Sequence, residues 1–381
     1  MAFASSGLGC KGLAAMSETV ETGREGILER FVTGPEKTLR AVLELIDGNG
    51  EGVVVVTGED GAFLGIVTDG DIRRGLLANA DFNQPVGEYL KRKTGPGPDA
   101  PLTVLPDTPD PERLALMDRY GVRHLPLVDR EGKLVGIALR SDLVLEQPLG
   151  MRAVVMAGGK GMRLRPLTEK TPKPLLPVGN KPLIEHIIGQ LRDSGVHNIS
   201  ITTHYHADQI QEHFGDGADF GVNMQYTREE EPLGTAGALA YLPPRDEPVL
   251  VINGDILTSV DFGAMLDFHR EHDSRLTVGV RQYDISVPFG VVEAEGARVS
   301  KLSEKPSLSF FINAGIYLLE PEVLERIPKG KRLDMTDLIN EIMADDLTVT
   351  SFPIHEYWMD IGQLGDYAQA QADAGQGKLK K

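Results

Sequence analysis

The densest run of chemistry-bearing side chains lies between Arg152 and Lys173. Six basic residues (Arg152, Lys160, Arg163, Arg165, Lys170 and Lys173) meet a single acid there, Glu169. The chain as a whole carries a formal charge of −17, so a local basic cluster marks a place where a small polyanion is held. Glycines are interleaved with the charges in Ala157-Gly158-Gly159-Lys160-Gly161-Met162-Arg163. They allow a tight bend that brings bare N–H groups against phosphate oxygens. Spacing excludes two familiar phosphate loops. A dinucleotide fingerprint needs a third glycine where Leu164 stands, and a Walker A loop needs Ser or Thr where Gly161 follows Lys160. The competing reading is an ordinary solvated charge run, and the interleaved glycines and prolines weigh against it. Farther on, Val251-Ile-Asn-Gly-Asp255 ends an apolar run in a carboxylate, and Trp358-Met-Asp360-Ile-Gly362 offers a second. His204, His206 and His213 have no recognisable metal-ligand spacing and no cysteine to assist, which leaves them as surface or pocket-rim residues.

A scaffold must hold these groups, and the pattern from residue 150 onward predicts one. Strands are predicted over 152–157, 199–203, 222–226 and 249–253. Leu183, Ile184, Ile187, Ile188 and Leu191 fall at helical spacing between the first two strands, and Gly195 closes that segment. Repeated strand–helix units imply a mostly parallel sheet covered by helices, with ligands at the carboxyl ends of the strands.

The N-terminal part repeats itself. Residues 53–72 align without gaps on 124–143, placing Gly61 on Gly132, Gly65 on Gly136 and Asp71 on Asp142. Each copy reads as a strand, a turn at Asp60-Gly61 or Glu131-Gly132, a second strand, and a helix near the aspartate. Helical stretches at 38–46 and 111–120 precede the two copies. The Pro/Gly-rich stretch 94–101 joins them, and 147–150 marks the boundary to the next domain.

These runs resemble two families. The repeats, over about residues 28–147, are similar to a tandem CBS (Bateman) module. In that family a Thr/Ser-x-x-Asp in each repeat grips an adenosine nucleotide. The resemblance implies Thr68 and Asp71 as ligands in the first repeat and Asp142 alone in the second, where Leu139 replaces the hydroxyl. A purely structural pairing role for the repeats stays open.

The run from Ala157 to Pro177 resembles the signature of sugar-1-phosphate nucleotidyltransferases, over nearly all of residues 151–372. The resemblance implies that Ala157, Gly158, Gly159 and Gly161 hold the nucleotide, and that Arg163 and Lys173 act on the reacting phosphates. Asp255 and Asp360 would bind Mg²⁺, an ion that suits two carboxylates completed by phosphate oxygens and water. The stretch Pro232–Gly237, with Gly234 and Thr235, would lie along base and ribose. Gly290, Glu304, Lys305 and Asn313 would face the sugar phosphate.

The implied fold is α/β, a GT-A/Rossmann-like mixed, mostly parallel sheet with helices on both faces, preceded by an α+β tandem CBS module. The implied division is an extension over 1–27, repeats over 28–90 and 91–149, the catalytic domain over 150–375 and a tail over 376–381. The implied reaction is nucleotidyl transfer from a nucleoside triphosphate to a sugar 1-phosphate, with Mg²⁺ as cofactor. Pro232–Gly237, preceded by Glu229-Glu230-Glu231, resembles mannose-1-phosphate guanylyltransferases and favours GTP as donor. CBS repeats ahead of such a domain resemble glucosamine-1-phosphate guanylyltransferases, so the expected acceptor is a mannose or glucosamine 1-phosphate. Uridylyl or thymidylyl transfer, or a catalytically silent nucleotide sensor, are the rivals. A regulatory nucleotide on the repeats and a homo-oligomer formed through them are also expected.

Composition narrows the classes further. The 381 residues are 41% hydrophobic and 25% charged, a globular profile that needs more than one core. No run approaches the roughly 20 apolar residues that span a bilayer. The acidic balance argues against nucleic acid as a partner. The only cysteine, Cys10, excludes an intrachain disulfide and points to a reducing cytoplasm.

Overall fold

A computed structural model describes residues 28–93, 101–144 and 148–379. The expected extension at 1–27, most of the joining stretch 94–101, residue 147 of the expected boundary and the last two residues of the tail lie outside them. The described residues form two compact units, one up to residue 146 and one from residue 147.

In the first unit, helix α1 (Leu39–Asn49) begins where the Thr38 hydroxyl accepts the Ala41 N–H at 3.2 Å, a side-chain cap. Strand β1 (Val53–Thr57) pairs antiparallel with β2 (Phe63–Thr68), and helix α2 (Asp69–Leu77) follows. The second copy repeats the order with α3 (Asp110–Tyr120), β3 (His124–Val128), β4 (Leu134–Leu139) and the short α4 (Arg140–Leu143). Gly61 and Gly132 sit at φ 80° and 84° in the two hairpin turns, a backbone that favours glycine. The turns bind each other. Phe63 N–H donates to the Gly132 carbonyl at 3.0 Å, and Leu134 N–H to that of Gly61 at 3.1 Å. Leu139, which stands where the first repeat has Thr68, is buried with Phe31 and Val53 in a small core. The departure from the hydroxyl pattern therefore has a packing role.

The second unit is built on a seven-stranded sheet, ordered β7-β6-β5-β8-β13-β10-β14. Its strands are β5 (Arg152–Met156), β6 (Asn198–Thr203), β7 (Asn223–Arg228), β8 (Val249–Asn253), β10 (Leu276–Ser286), β13 (Ser307–Leu319) and β14 (Val349–Ile354). Only β13 runs against the other six. The central strands are apolar on both faces because both faces carry a core. Ala153, Val155, Leu250 and Ile252 point into one core, whereas Val154, Val249 and Val251 point into the other. The stripe Leu183, Ile184, Ile187, Ile188 and Leu191 is buried along helix α5 (Leu183–Asp193), beside α6 (Phe262–Glu271). Helix α7 (Met335–Ala344) covers the opposite face. Two short strands, β9 (Ile256–Thr258) and β15 (Trp358–Asp360), pair with each other, and helix α8 (Leu364–Gly375) ends the unit. Between β10 and β13 a hairpin of β11 (Val291–Glu295) and β12 (Arg298–Ser303) stands apart from the main sheet. No described helix is long and apolar enough to cross a membrane.

Candidate functional site

The site gathers at the carboxyl ends of β5 and β8. Gly254 N–H donates to the Met156 carbonyl at 2.9 Å, and a Cβ on Gly254 would stand 2.8 Å from that oxygen, so only glycine lets the two ends approach. The chain then enters Asp255 and β9. The register with β15 puts Ile256 opposite Asp360, and Ile361 N–H donates to the Asp255 carbonyl at 3.0 Å. Antiparallel pairing thus brings two aspartates from distant segments side by side.

Lys173 reaches the same point, with its Nζ 2.5 Å from Asp255 Oδ2. Burial raises the Asp360 pKa, the charge of Asp255 raises it further, and Lys173 and Arg163 act in the opposite direction. Arg163 packs beside Gly362. Both terminal guanidinium nitrogens lie 3.7 Å from where a Cβ on Gly362 would be. Asp255, Asp360, Lys173 and Arg163 therefore form one electrostatic group.

The glycine loop closes on this group. Gly161 has φ 60°, and a Cβ there would stand 2.9 Å from the Thr168 side chain and 3.1 Å from the Lys173 Cβ. The buried Thr168 hydroxyl donates to the Gly161 carbonyl at 2.7 Å. Ala157 is anchored by its N–H to the Thr202 carbonyl at 2.9 Å, whereas the Gly159 position opens onto free space. A Cβ on Gly158 would meet the Glu229 carboxylate at 2.9 Å, and that carboxylate accepts the Leu233 N–H, also at 2.9 Å. Glu229, nearly buried, thus links the loop to the Pro232–Gly237 stretch. Thr168 lies within the Ala157–Pro177 run and Glu229 just ahead of Pro232, yet neither role is visible in the sequence. Their value depends on which carbonyl or amide they meet, and spacing does not give that.

Gly234 and Thr235 pack against the segment that leads into α7. A Cβ on Gly234, at φ 81°, would stand 2.5 Å from the Leu333 carbonyl oxygen. The Thr235 hydroxyl accepts the Met335 N–H at 2.7 Å, and the Thr235 N–H donates to Asp334 at 3.2 Å. The Thr235 side chain secures the start of α7.

Among the residues expected to face the sugar phosphate, Glu304 Oε2 lies 3.2 Å from where a Cβ on Gly290 would be, so this pair is adjacent. Lys305 is exposed at φ 43°. Asn313 Oδ1 accepts the Gly315 N–H at 2.9 Å, and the Trp358 indole donates to the Ala314 carbonyl at 2.9 Å, tying the Asp360 strand to the Asn313 strand. Among the described residues no hydrogen bond or ion pair joins Gly290, Glu304 or Lys305 to the Asp255 group. The histidines have separate partners: His204 meets the Glu229 carbonyl and His213 meets Glu185.

In the first repeat the Asp71 side chain is 1% exposed and both of its oxygens have partners within the chain. Oδ2 accepts from the Thr68 N–H at 2.8 Å and the Thr68 hydroxyl at 2.9 Å, and pairs with Lys93 at 2.8 Å, while Oδ1 pairs with Arg74 at 2.8 Å. Burial pushes this carboxyl up, but Lys93, Thr68 and Arg74 outweigh it and hold the pKa below the usual value. Thr68 and Asp71 are a helix capping box with two cations on it. Asp142 in the second repeat is exposed, and Leu139 caps nothing.

Comparison with known proteins agrees with this division. CBS domain models match residues 29–78 and 98–148. The chain is 34% identical over 230 residues to a mannose-1-phosphate guanylyltransferase of Mycobacterium tuberculosis, covering 58% of this chain and 64% of the relative. It is 37% identical over 226 residues to the catalytic subunit beta of the mannose-1-phosphate guanylyltransferase of Drosophila pseudoobscura pseudoobscura, covering 57% of this chain and 61% of the relative. The chain thus spans less than two thirds of the length of these relatives. A solved Bacillus anthracis chain, described as a candidate glucose-1-phosphate thymidylyltransferase, is 28% identical with a TM-score of 0.48, covering 59% of this chain and 95% of that one. The nucleotidyl transferase model matches residues 152–377, more than half of the chain and the whole of the site just described. The chain therefore belongs to the nucleotidyl transferase family.

Proposed function

We propose that the second unit transfers GMP from GTP to a sugar 1-phosphate of the mannose or glucosamine class. The observation that carries this reading is the convergence of Lys173, Arg163, Asp255 and Asp360 beside the glycine loop. A phosphate oxygen of the sugar phosphate attacks the α-phosphorus of the triphosphate, and the bond to the β-phosphate oxygen breaks. The products are a nucleoside diphosphate sugar and pyrophosphate. Such a reaction asks the protein for position and charge neutralisation rather than a covalent intermediate. Lys173 supplies a compact charge and Arg163 a planar fork, both held at the loop. No Ser, Cys or His nucleophile is required.

The donor set fits Mg²⁺. Two carboxylates close enough for one to raise the pKa of the other are hard oxygen ligands with excess negative charge. Asp255 and Asp360 would hold the ion, which would neutralise phosphate oxygens. The preference for guanine rests on the guanylyltransferase relatives, and the sugar side rests on the Gly290–Glu304 pair.

Pyrophosphate release, measured with GTP, UTP, dTTP, CTP and ATP against a panel of hexose and hexosamine 1-phosphates, tests the reading. A tenfold or greater preference for another triphosphate rejects guanylyl transfer. Background rates in every combination favour a silent sensor instead. For the first unit, the exposed Asp142 makes the second repeat the better place for a regulatory nucleotide.

A further inference from the structure

Arg152 belongs to the basic run of the sequence but not to the group at the glycine loop. It opens β5, whereas Ala157 follows the other end of that strand, about 16 Å away at the usual rise per residue. The residue is only 4% exposed. A guanidinium carries five N–H donors. Among the described residues Arg152 uses its side chain for one hydrogen bond, from Nη1 to the Pro243 carbonyl at 2.6 Å, and has no ion pair. Its Nε is buried without a partner. Burial lowers its pKa, Glu247 acts in the opposite direction, and Arg245 lowers it further. Buried cations are ordinarily paired, and this one lacks its anion.

The faces of the strands show what surrounds it. Ala153 and Val155 of β5, Ile199 and Ile201 of β6, and Met224 of β7 point into the first core. Alternation turns Arg152, Asn198, Ser200, Asn223 and Gln225 to the other face. The core on that face takes no described residue of β6 or β7. Register sets Asn198 opposite Asn223 and Ser200 opposite Gln225, and Asn223 Nδ2 donates to Asn198 Oδ1 at 3.3 Å. Amides and a hydroxyl thus stand where apolar side chains would continue the core. With Arg152, and with Arg245 from the segment leading into β8, these four residues line an open pocket holding about 270 Å³ of empty space.

We infer that this pocket, at the amino ends of β5, β6 and β7, is a second anion site that takes the phosphate group of a small ion or ester. It lies at the end of the sheet opposite the glycine loop. Arg152 supplies a buried fork held by Pro243, Arg245 supplies an exposed one, and the amides add neutral donors. An arginine fork suits phosphate oxygens, and its charge makes each bond about twice as strong as a neutral one. Glu247 Oε1 is 3.8 Å from Arg245 Nη1, too far for a hydrogen bond. These three groups together leave one positive charge in excess. The space is below the roughly 300–1,000 Å³ of ordinary ligand pockets. That favours inorganic phosphate, or a monoester whose remainder projects into solvent, over a nucleotide enclosed whole. Between Arg152 and Ala157 the strand is buried in both cores, so the anion and the glycine loop share one rigid element.

Calorimetry of the full chain with inorganic phosphate, at an ionic strength fixed by sodium chloride, tests the site without any assay of transfer. Lys173→Ala separates the two places, since it weakens phosphate at the glycine loop and is expected to leave the second event intact. Arg245→Ala, at an exposed position, is expected to weaken that event about tenfold or more, the scale of losing a hydrogen bond to a charged group. Arg152→Met keeps the length and removes the charge. It is expected to abolish the event, together with the rise in Tm that phosphate gives the wild type. A Lys173→Ala chain that binds no phosphate overturns the inference. So does binding that Arg245→Ala leaves unchanged, a result that stands even if Arg152→Met fails to fold. A hexose 6-phosphate, which offers no 1-phosphate for transfer, separates the sources. If it binds more tightly than free phosphate and Arg245→Ala removes the difference, phosphorylated sugars are the occupant, and the reverse order assigns the free ion.

Discussion

Two pairs of aspartates in this chain meet opposite fates. In the second unit Asp255 and Asp360 are placed side by side by a strand pairing, and one raises the pKa of the other. In the first unit Asp71 and Asp142 occupy equivalent places in two repeats, yet only Asp142 is exposed, and Asp71 is enclosed by Thr68, Arg74 and Lys93. A carboxylate that is forced against another carboxylate keeps its demand for a cation. A carboxylate already supplied with two cations and two donors has become part of the fold. Whether an aspartate serves function is therefore decided by what its neighbours leave undone.

Breaking the first pair has the largest expected effect. Asp255→Asn and Asp360→Asn are each expected to lower kcat about 10³-fold while circular dichroism stays unchanged, because removing a preorganised group that acts on developing charge costs that much. Near wild-type kcat at saturating Mg²⁺ would remove that aspartate from the site. Lys173→Ala comes next, at about 10²-fold in kcat. Lys305→Ala should instead act on KM for the sugar phosphate. An exchange of these two kinetic phenotypes would show the lysines to be placed the wrong way round.

The second pair is expected to respond in stability. Asp71→Asn should destabilise the first unit by about 1–3 kcal/mol at pH 7, since it strips a buried carboxylate from its cations. The Asp71 pKa is lowered in the fold, so its contribution is complete above the unfolded value of about 3.9 and is lost as pH falls through the folded one. The gap between wild type and variant should therefore close in acid. Hydrogen exchange of β1 and β2 in the full chain reads this directly, and a gap that persists at low pH would contradict the ion-pair account. Asp142→Asn, at an exposed position, should change stability by less than about 0.5 kcal/mol. The smallest effect is on binding. Asp142→Ala should weaken an adenine or guanine nucleotide at the repeats, measured by calorimetry, and Asp71→Asn should do so only through instability.

Much of the fold is legible in the sequence because buried parallel strands and an amphipathic helix leave strong local signals. The Val249–Asn253 strand and the stripe from Leu183 to Leu191 are examples. The glycine loop is legible for the same reason, since its residues are contiguous. What is not legible depends on partners brought in by the tertiary fold. The Thr68–Asp71 motif is legible, but its ion pair with Lys93, farther along the chain, is not. Thr235 is legible within its motif, but the hydrogen bond its hydroxyl accepts from Met335 is not. Leu139 looks like a lost ligand until Phe31 and Val53 surround it. The apolar alternation in Tyr283/Ile285 and Leu308/Phe310 is visible in each strand alone, but a shared face exists only once the register is known.

The hydrogen bond from Trp358 to the Ala314 carbonyl has an optical consequence. Trp358 is the only tryptophan in the chain, and its indole spans the strand that ends in Asp360 and the strand that carries Asn313. Excitation at the red edge of protein absorbance therefore interrogates one place in the molecule, the seam between the two halves of the site. Any change in how these strands meet alters the polarity and hydrogen bonding of that single fluorophore. Emission wavelength and quenching by iodide or acrylamide can thus follow events at the seam in the unlabelled protein, with no background from a second indole.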